Sequence, residues 1–233
     1  MINLQAVLFD MDGTLIDSEK VWEVALNDLA ESYGGVLSHQ ARIAMVGASS
    51  ERTMEILLAD LDQQWRDPME GADWLDVRVL GLFAAGLDWR PGAQELLARV
   101  RAAGLKTALV TNTRRALVEV ALGTLGAHNF DLLVCGDEVP RTKPDPAPYL
   151  AAATGLGVDP AGCVAIEDSP AGIASALAAG CAVVAVPNEV PLDDVDGLDN
   201  GLVLASLVDV DVTTLAGLVS NISRVPCMDI EAG

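Results

Sequence analysis

Two aspartates one residue apart, Asp10 and Asp12, follow the apolar run Ala6-Val7-Leu8-Phe9 in the stretch AVLFDMDGTLIDSE. Period-two alternation puts both on one side of an extended chain. Carboxylates that close raise each other's pKa unless a positive charge lies with them. Further polar groups follow later apolar runs: Thr111-Asn112-Thr113 after 107–110, Lys143 in a loop beyond 132–135, and Glu167-Asp168 after 163–166. Clustered carboxylates without histidine suit a hard cation, and Mg2+ takes a few carboxylates while keeping several waters. Thr111 and Asn112, just ahead of a helical pattern, can donate to a phosphate with the helix dipole behind them. Lys143 adds positive charge to the same spot. With Mg2+ it would keep Asp10 ionised beside Asp12, and Asp10 is then a nucleophile aimed at phosphorus. Each motif alone has an ordinary explanation: an acidic turn, a strand-to-helix turn, a solvated lysine, a helix cap at Ser169. All four in order at successive strand ends are a catalytic constellation.

The elements that must position these residues are short. Runs 4–9, 107–110, 132–135, 163–166 and 181–186 read as buried strands, and 202–204 as a weaker sixth. Between them, residues 114–125 carry an apolar helical face that Gly126 closes. Asp145 and Pro146 open a second helix with Gly155 near its end, and Ser169 and Pro170 open a third that ends at Gly180. Strand, helix, strand in this rhythm predicts an α/β fold, a Rossmann-like parallel sheet with helices on both faces. Ligands of such sheets bind outside the carboxyl ends of the strands. The gap between the first two strands is too long for one crossover helix at 91–103. Residues 17–87 therefore read as an inserted α-helical cap domain, and 1–16 with 88–233 as the catalytic core. Val21, Trp22, Ala25, Leu26, Leu29, Ala30 and Tyr33 form one apolar face in the insertion, stopped by Gly34-Gly35. Residues 54–61 and 74–87 look like its further helices.

The bulk composition narrows the function classes. At 233 residues, half of them hydrophobic, the chain can bury a large core and is not disordered. A net charge of −20 disfavours nucleic acid and anionic membranes as partners, and it obliges any anionic substrate to find a local cationic site. The four cysteines show no metal-ligand spacing. Three lie in or beside apolar runs, as small core residues in a reducing compartment. The N-terminal apolar run is too short for a signal peptide, and no stretch of about 18 apolar residues offers a membrane span. A cytoplasmic protein is expected, as monomer or homodimer.

DMDGTLID, LVTNT, the Lys143-Pro144 pair and VAIEDSPAGI resemble the four ordered motifs of the haloacid dehalogenase superfamily. The closest likeness is to its phosphatase branch, whose helical cap is inserted after the first strand. The resemblance implies that Asp10 forms an aspartyl-phosphate and that Asp12 protonates the leaving group, then activates water. It also implies that the Asp12 carbonyl meets the metal, that Thr111 and, by position, Asn112 hold the phosphoryl group, and that Lys143 neutralises it. Asp168 would ligate Mg2+ with help from Glu167. The second carboxylate, Asp12, sets the chain apart from the dehalogenases and the phosphonate-cleaving relatives. The β-phosphoglucomutases resemble it too, but carry a cap histidine where this chain has Trp22, and an arginine nearer the cap-loop glycine than Arg52 is to Gly47. LIDSEKVWEVA is similar to sugar-phosphate phosphatases. The expectation is a phosphatase of a small phosphorylated metabolite, with a sugar phosphomutase as the alternative and a phospho-acceptor signalling or binding protein as a third reading. Receiver domains place their phosphorylated aspartate after the third strand, where this chain has Asp137. In the cap, Lys20, Trp22, Ser49 and Arg52 could touch the leaving group. Trp22 reads as part of the apolar helix face, His39 and His128 as structural or exposed, and 191–201 as a solvated acidic loop.

Overall fold

Small and β-branched residues fill the strands because helices cover both faces of the sheet and leave no solvated side. The computed structural model describes residues 3–188, 190, 192, 201–208 and 210–222. Its strands are β1 (Ala6–Phe9), β2 (Lys106–Val110), β3 (Leu132–Val134), β4 (Cys163–Glu167), β5 (Ala182–Ala185) and β6 (Leu202–Val203). They form one parallel sheet in the order β3-β2-β1-β4-β5-β6. The helices are α1 (Glu19–Ser32), α2 (His39–Ala44), α3 (Ser50–Asp60), α4 (Pro68–Phe83), α5 (Ala93–Ala102), α6 (Arg115–Leu125), α7 (Ala147–Leu156), α8 (Pro170–Ala178) and α9 (Val212–Ile222). Val7, Phe9, Leu109 and Ile166 turn to the layer of α5, α6 and α9. Their neighbours Ala6, Leu8, Ala108 and Ala165 turn to α7 and α8. Cys135, Cys163 and Cys181 are buried free thiols, the small core residues expected. Cys227 and most of 191–201 lie outside the described residues. Among the described residues, no helix is long and apolar enough to cross a membrane.

The strand order reverses between β1 and β4, and a crevice opens at such a switch point. Phe9 is in register with Leu109 on one side and Ile166 on the other. Asp10 therefore leaves β1 level with Val110 and Glu167. Sheet pairing alone gathers the ends of three strands into one place.

Helices α1 to α4 fall between β1 and β2, where the insertion was expected. They are longer and more numerous than the apolar pattern predicts. Each of α2, α3 and α4 starts at a polar cap ahead of its apolar residues: Ser38, Ser49 and Asp67 accept from the N–H groups of Ala41, Arg52 and Met69. The six residues of α2 are too few to show a period, so the sequence reading passes over it. Helix α7 runs past Gly155 to Gly157, which takes the left-handed conformation that ends helices. Gly155 stays inside because a Cβ there would lie 2.6 Å from Leu132. The apolar residues of α1, α3 and α4, among them Leu26, Leu29, Met54, Leu57 and Leu75, join the same core cluster as Phe9, Met11 and Leu15.

Candidate active site

Lys143 organises the floor of the crevice. Its Nζ lies 2.6 Å from Asp10 Oδ1, 2.6 Å from Glu167 Oε1 and 2.8 Å from the Val110 carbonyl, in a slot almost closed to solvent. Glu167 also accepts from Tyr149 OH at 2.6 Å and from Ser169 Oγ at 3.2 Å. The side-chain amide of Asn112 fixes the lysine from behind: Oδ1 accepts from the Lys143 N–H, and Nδ2 donates to the Lys143 carbonyl.

Asp12 faces a different set of partners. The chain has left the strand, and Gly13 turns it with φ of 75°, so alternation no longer governs where Asp12 points. A side chain at Gly13 would collide with the Asp168 carboxylate, with a Cβ only 2.1 Å from Oδ2. Asp12 Oδ1 accepts from Ser18 Oγ at 2.6 Å and Trp22 Nε1 at 3.0 Å. Its Oδ2 accepts from Thr113 Oγ1 at 2.7 Å and, at a long 3.4 Å, from Thr111 Oγ1. Lys143 therefore sits with Asp10, the partner the sequence reading gives it, and not with Asp12. The lysine bridges Asp10 and Glu167, while hydroxyls and an indole hold Asp12.

The floor is short of positive charge. Asp10, Glu167 and Asp168 each offer an oxygen within 4.8 Å of the others, and Lys143 is the one cation among them. Burial pushes the Asp10 carboxyl up to about 8, against the pull of Lys143, with Glu167 and Asp12 pushing the same way as burial. Burial, then Asp10, Glu167 and Glu19, lift Asp168 well above the usual carboxylate range. Burial works against charge on Lys143, yet Asp10 and Glu167 outweigh it and raise the ammonium above its ordinary range. Asp168 Oδ2 is buried with no hydrogen-bond partner. An orphaned carboxylate oxygen beside two more carboxylates fits a hard divalent cation. Thr111 and Lys143 line the cavity above this floor together with Asp10 and Asp168.

Helices α1 to α4 and their loops close the cavity from the other side. Trp22, Leu26, Met45 and Leu75 supply apolar wall, and Glu19 and Arg42 supply a buried ion pair. The space open to water-sized centres is about 60 Å3, room for a handful of waters. Gly47 brings the α2–α3 loop down onto the core: its carbonyl accepts from Asn112 Nδ2 at 2.9 Å, and a Cβ there would lie 2.7 Å from Ser169. Its φ of 71° also favours glycine. The structure does not bring Lys20 or Arg52 into this cavity. Lys20 is exposed and paired with Asp17, and Arg52 is exposed and paired with Glu55. Ser49 caps α3 and, with Arg52, borders a separate open depression beside Pro144. Asp137, the aspartate after β3, is exposed and accepts from the Arg115 N–H, outside the cavity lining.

Sequence reasoning passes over Ser18, Tyr149 and Arg42, gives Thr113 and Glu19 no role, and favours apolar core over ligand contact for Trp22. A signal for two of them was present: Ser18 and Trp22 are four residues apart at a helix start, hence on one face. Nothing local marks Tyr149 or Arg42, whose partners lie on distant segments.

Residues 4–180 match the family model of haloacid dehalogenase-like hydrolases. Hexitol phosphatase B of Escherichia coli is 31% identical over 216 residues, covering 91% of this chain and 96% of that protein. The phosphorylated carbohydrates phosphatase of Thermotoga maritima is 34% identical over 180 residues, 76% of this chain and 82% of that one. The solved structure of CbbY from Rhodobacter sphaeroides in complex with phosphate superimposes with a TM-score of 0.82 at 26% identity, over 91% of this chain and 99% of CbbY. With the motif residues converging at the switch point and the family model spanning most of its length, the chain belongs to the haloacid dehalogenase-like hydrolases.

Proposed function

We propose that this hydrolase is a Mg2+-dependent phosphatase of small phosphate monoesters, sugar phosphates foremost, working through a phosphoryl group carried on Asp10. The observation that carries the reading is the pair of differently held aspartates: Asp10 against Lys143 at the floor, and Asp12 held apart from it by Ser18, Trp22 and Thr113. Asp10 Oδ attacks phosphorus, and the bond from phosphorus to the ester oxygen breaks. Asp12 gives that oxygen a proton, then takes one from the water that attacks the aspartyl-phosphate, and phosphate leaves with both aspartates restored. The Thr111 hydroxyl and the Lys143 ammonium hold the transferring oxygens. Asn112 keeps Lys143 in register. Asp10, Glu167 and Asp168, with the Asp12 carbonyl, would hold Mg2+, which would supply positive charge to the phosphoryl group. Residues 17–87 act as a cap over a core of 1–16 and 88–233. The names of the two curated relatives support a phosphorylated carbohydrate as the substrate class.

The test is phosphate release from a panel of hexose, hexitol and glycerol phosphates, with Mg2+ and with a chelator. Release that needs the metal, together with a phosphoryl adduct on Asp10 in trapped enzyme, is expected. Release that survives exhaustive chelation would sink the metal assignment. Mg2+ affinity is also expected to depend on pH. A carboxyl titrating near 8 must lose its proton to bind the cation, so affinity should tighten about tenfold per unit from pH 6 toward 8 and level off above. Calorimetry across that range reads it directly, and a flat profile would show that Asp10 is already ionised at pH 6.

A further inference from the structure

We infer that the Glu19–Arg42 ion pair selects the leaving group, admitting a neutral polyhydroxyl group and refusing one that bears a second anion. The inference rests on the phosphatase reading and narrows its substrate class.

Arg42 Nη2 lies 2.6 Å from Glu19 Oε2 and 3.3 Å from the Glu19 carbonyl, joining the start of α1 to α2. Both side chains are close to fully buried, and both line the cavity that holds Asp10 and Asp12. Among the described residues the cavity wall carries two cations, Lys143 and Arg42, and each already faces a carboxylate. Asp10, Asp12, Glu19 and Asp168 line the same wall, so negative side chains outnumber positive ones. The metal and Lys143 act on the phosphoryl group being transferred. A second phosphate or a carboxylate on the leaving group would meet no unmatched cation and would come near Glu19 and Asp12. Arg52 and Arg114 offer no relief: neither lines the cavity, and Arg114 is held by Glu51, Asp73 and Asp76 of the cap helices.

A hydroxyl both donates and accepts, so the carboxylate and the guanidinium can each bind one without parting. Trp22, Leu26, Met45 and Leu75 offer apolar surface for the carbon faces of a polyol or sugar. A leaving group with an added anion can only accept, and the Glu19 and Asp12 carboxylates that it would come near can offer it no donor. Discrimination of about 100-fold or more in kcat/KM is expected, since like charges brought together in a closed site are strongly disfavoured.

The experiment compares kcat/KM for sorbitol monophosphate, phosphoglycolate, a sugar bisphosphate and p-nitrophenyl phosphate, all with Mg2+. The wild type is set beside Glu19→Gln and the double variant Glu19→Gln/Arg42→Gln. The wild type should favour the sorbitol ester over both doubly anionic ones by about 100-fold or more. Glu19→Gln removes the carboxylate that faces Arg42 and should narrow that ratio at least tenfold (roughly, one lost repulsion), mainly through a lower KM for phosphoglycolate. Removing one partner of a buried pair can stop a chain folding. The double variant removes both charges of the pair together, and it should lose the preference for sorbitol monophosphate over p-nitrophenyl phosphate without gaining phosphoglycolate. A wild type that takes the bisphosphate as readily as the polyol ester overturns the inference. So does a Glu19→Gln variant that slows every ester alike, or a double variant with the wild-type preference, because a purely structural brace would behave that way. Metal-dependent release from p-nitrophenyl phosphate keeps the phosphatase reading standing in those cases. Its absence in the wild type would overturn both.

Discussion

Asp10→Asn is expected to lower kcat by about 10⁴-fold or more, because it removes the atom that forms the new bond to phosphorus. Glu167 is held by Lys143, Tyr149 and Ser169. Asp12 is held by Ser18, Trp22 and Thr113 on the other side. The fold should survive the change. The Asp10 carboxyl is raised from 3.8 to about 8, so the folded state binds its proton more tightly than the unfolded chain does. The stability this contributes is complete below about pH 4 and is lost as pH rises through 8. Asparagine cannot titrate, and the variant in metal-free buffer should show a flatter loss of Tm between those limits. Melting curves at several pH values, taken beside single-turnover assays, check both halves. Substantial turnover in the variant would remove Asp10 from the nucleophile role.

Lys143→Met is expected to damage stability as well as turnover. The lysine is the one ammonium set between Asp10 and Glu167, and breaking a buried pair by removing one partner costs about 3–5 kcal/mol. In a chain of this size each kcal/mol shifts Tm by roughly 2–4 °C, so a fall of about 6–20 °C is expected. Added Mg2+ should restore part of it, since the cation returns positive charge to the same carboxylates. Lys143→Arg should not rescue activity, because a planar guanidinium cannot reproduce a point charge donating to Asp10, Glu167 and the Val110 carbonyl in a closed slot. A Tm within a degree or two of wild type (roughly, no measurable cost) would mean that the carboxylates take up protons instead, and a calorimetric count of protons bound would show it.

What the sequence discloses follows from where constraint is local. The strands are legible because β1 and β4 are buried on both faces and, apart from Glu167 at the end of β4, admit only apolar residues. Asp10, Thr111, Lys143 and Asp168 are legible because parallel pairing fixes which strand ends meet. The inserted helices are less so. Helices α2 to α4 begin at polar residues that carry no hydrophobic period, and α2 is shorter than two turns. The second layer of the site is least legible. Tyr149 reaches Glu167 from α7, and Arg42 reaches Glu19 across the α1–α2 connection. Pairings of that kind depend on how helices settle after the sheet forms. Trp22 shows the limit of pattern reading: periodicity weighs its ring and is blind to the N–H it gives to Asp12.

The apolar cluster that runs without a break from β1 through Met11 and Leu15 into α1, α3 and α4 has a thermodynamic consequence. Residues sharing one core lose their packing together, so the inserted helices and the sheet form one cooperative unit. Heating should give a single calorimetric transition, with no earlier shoulder from the insertion. Amides in the buried turns of α4 should then exchange with solvent about as slowly as those of β1, through opening of the whole molecule.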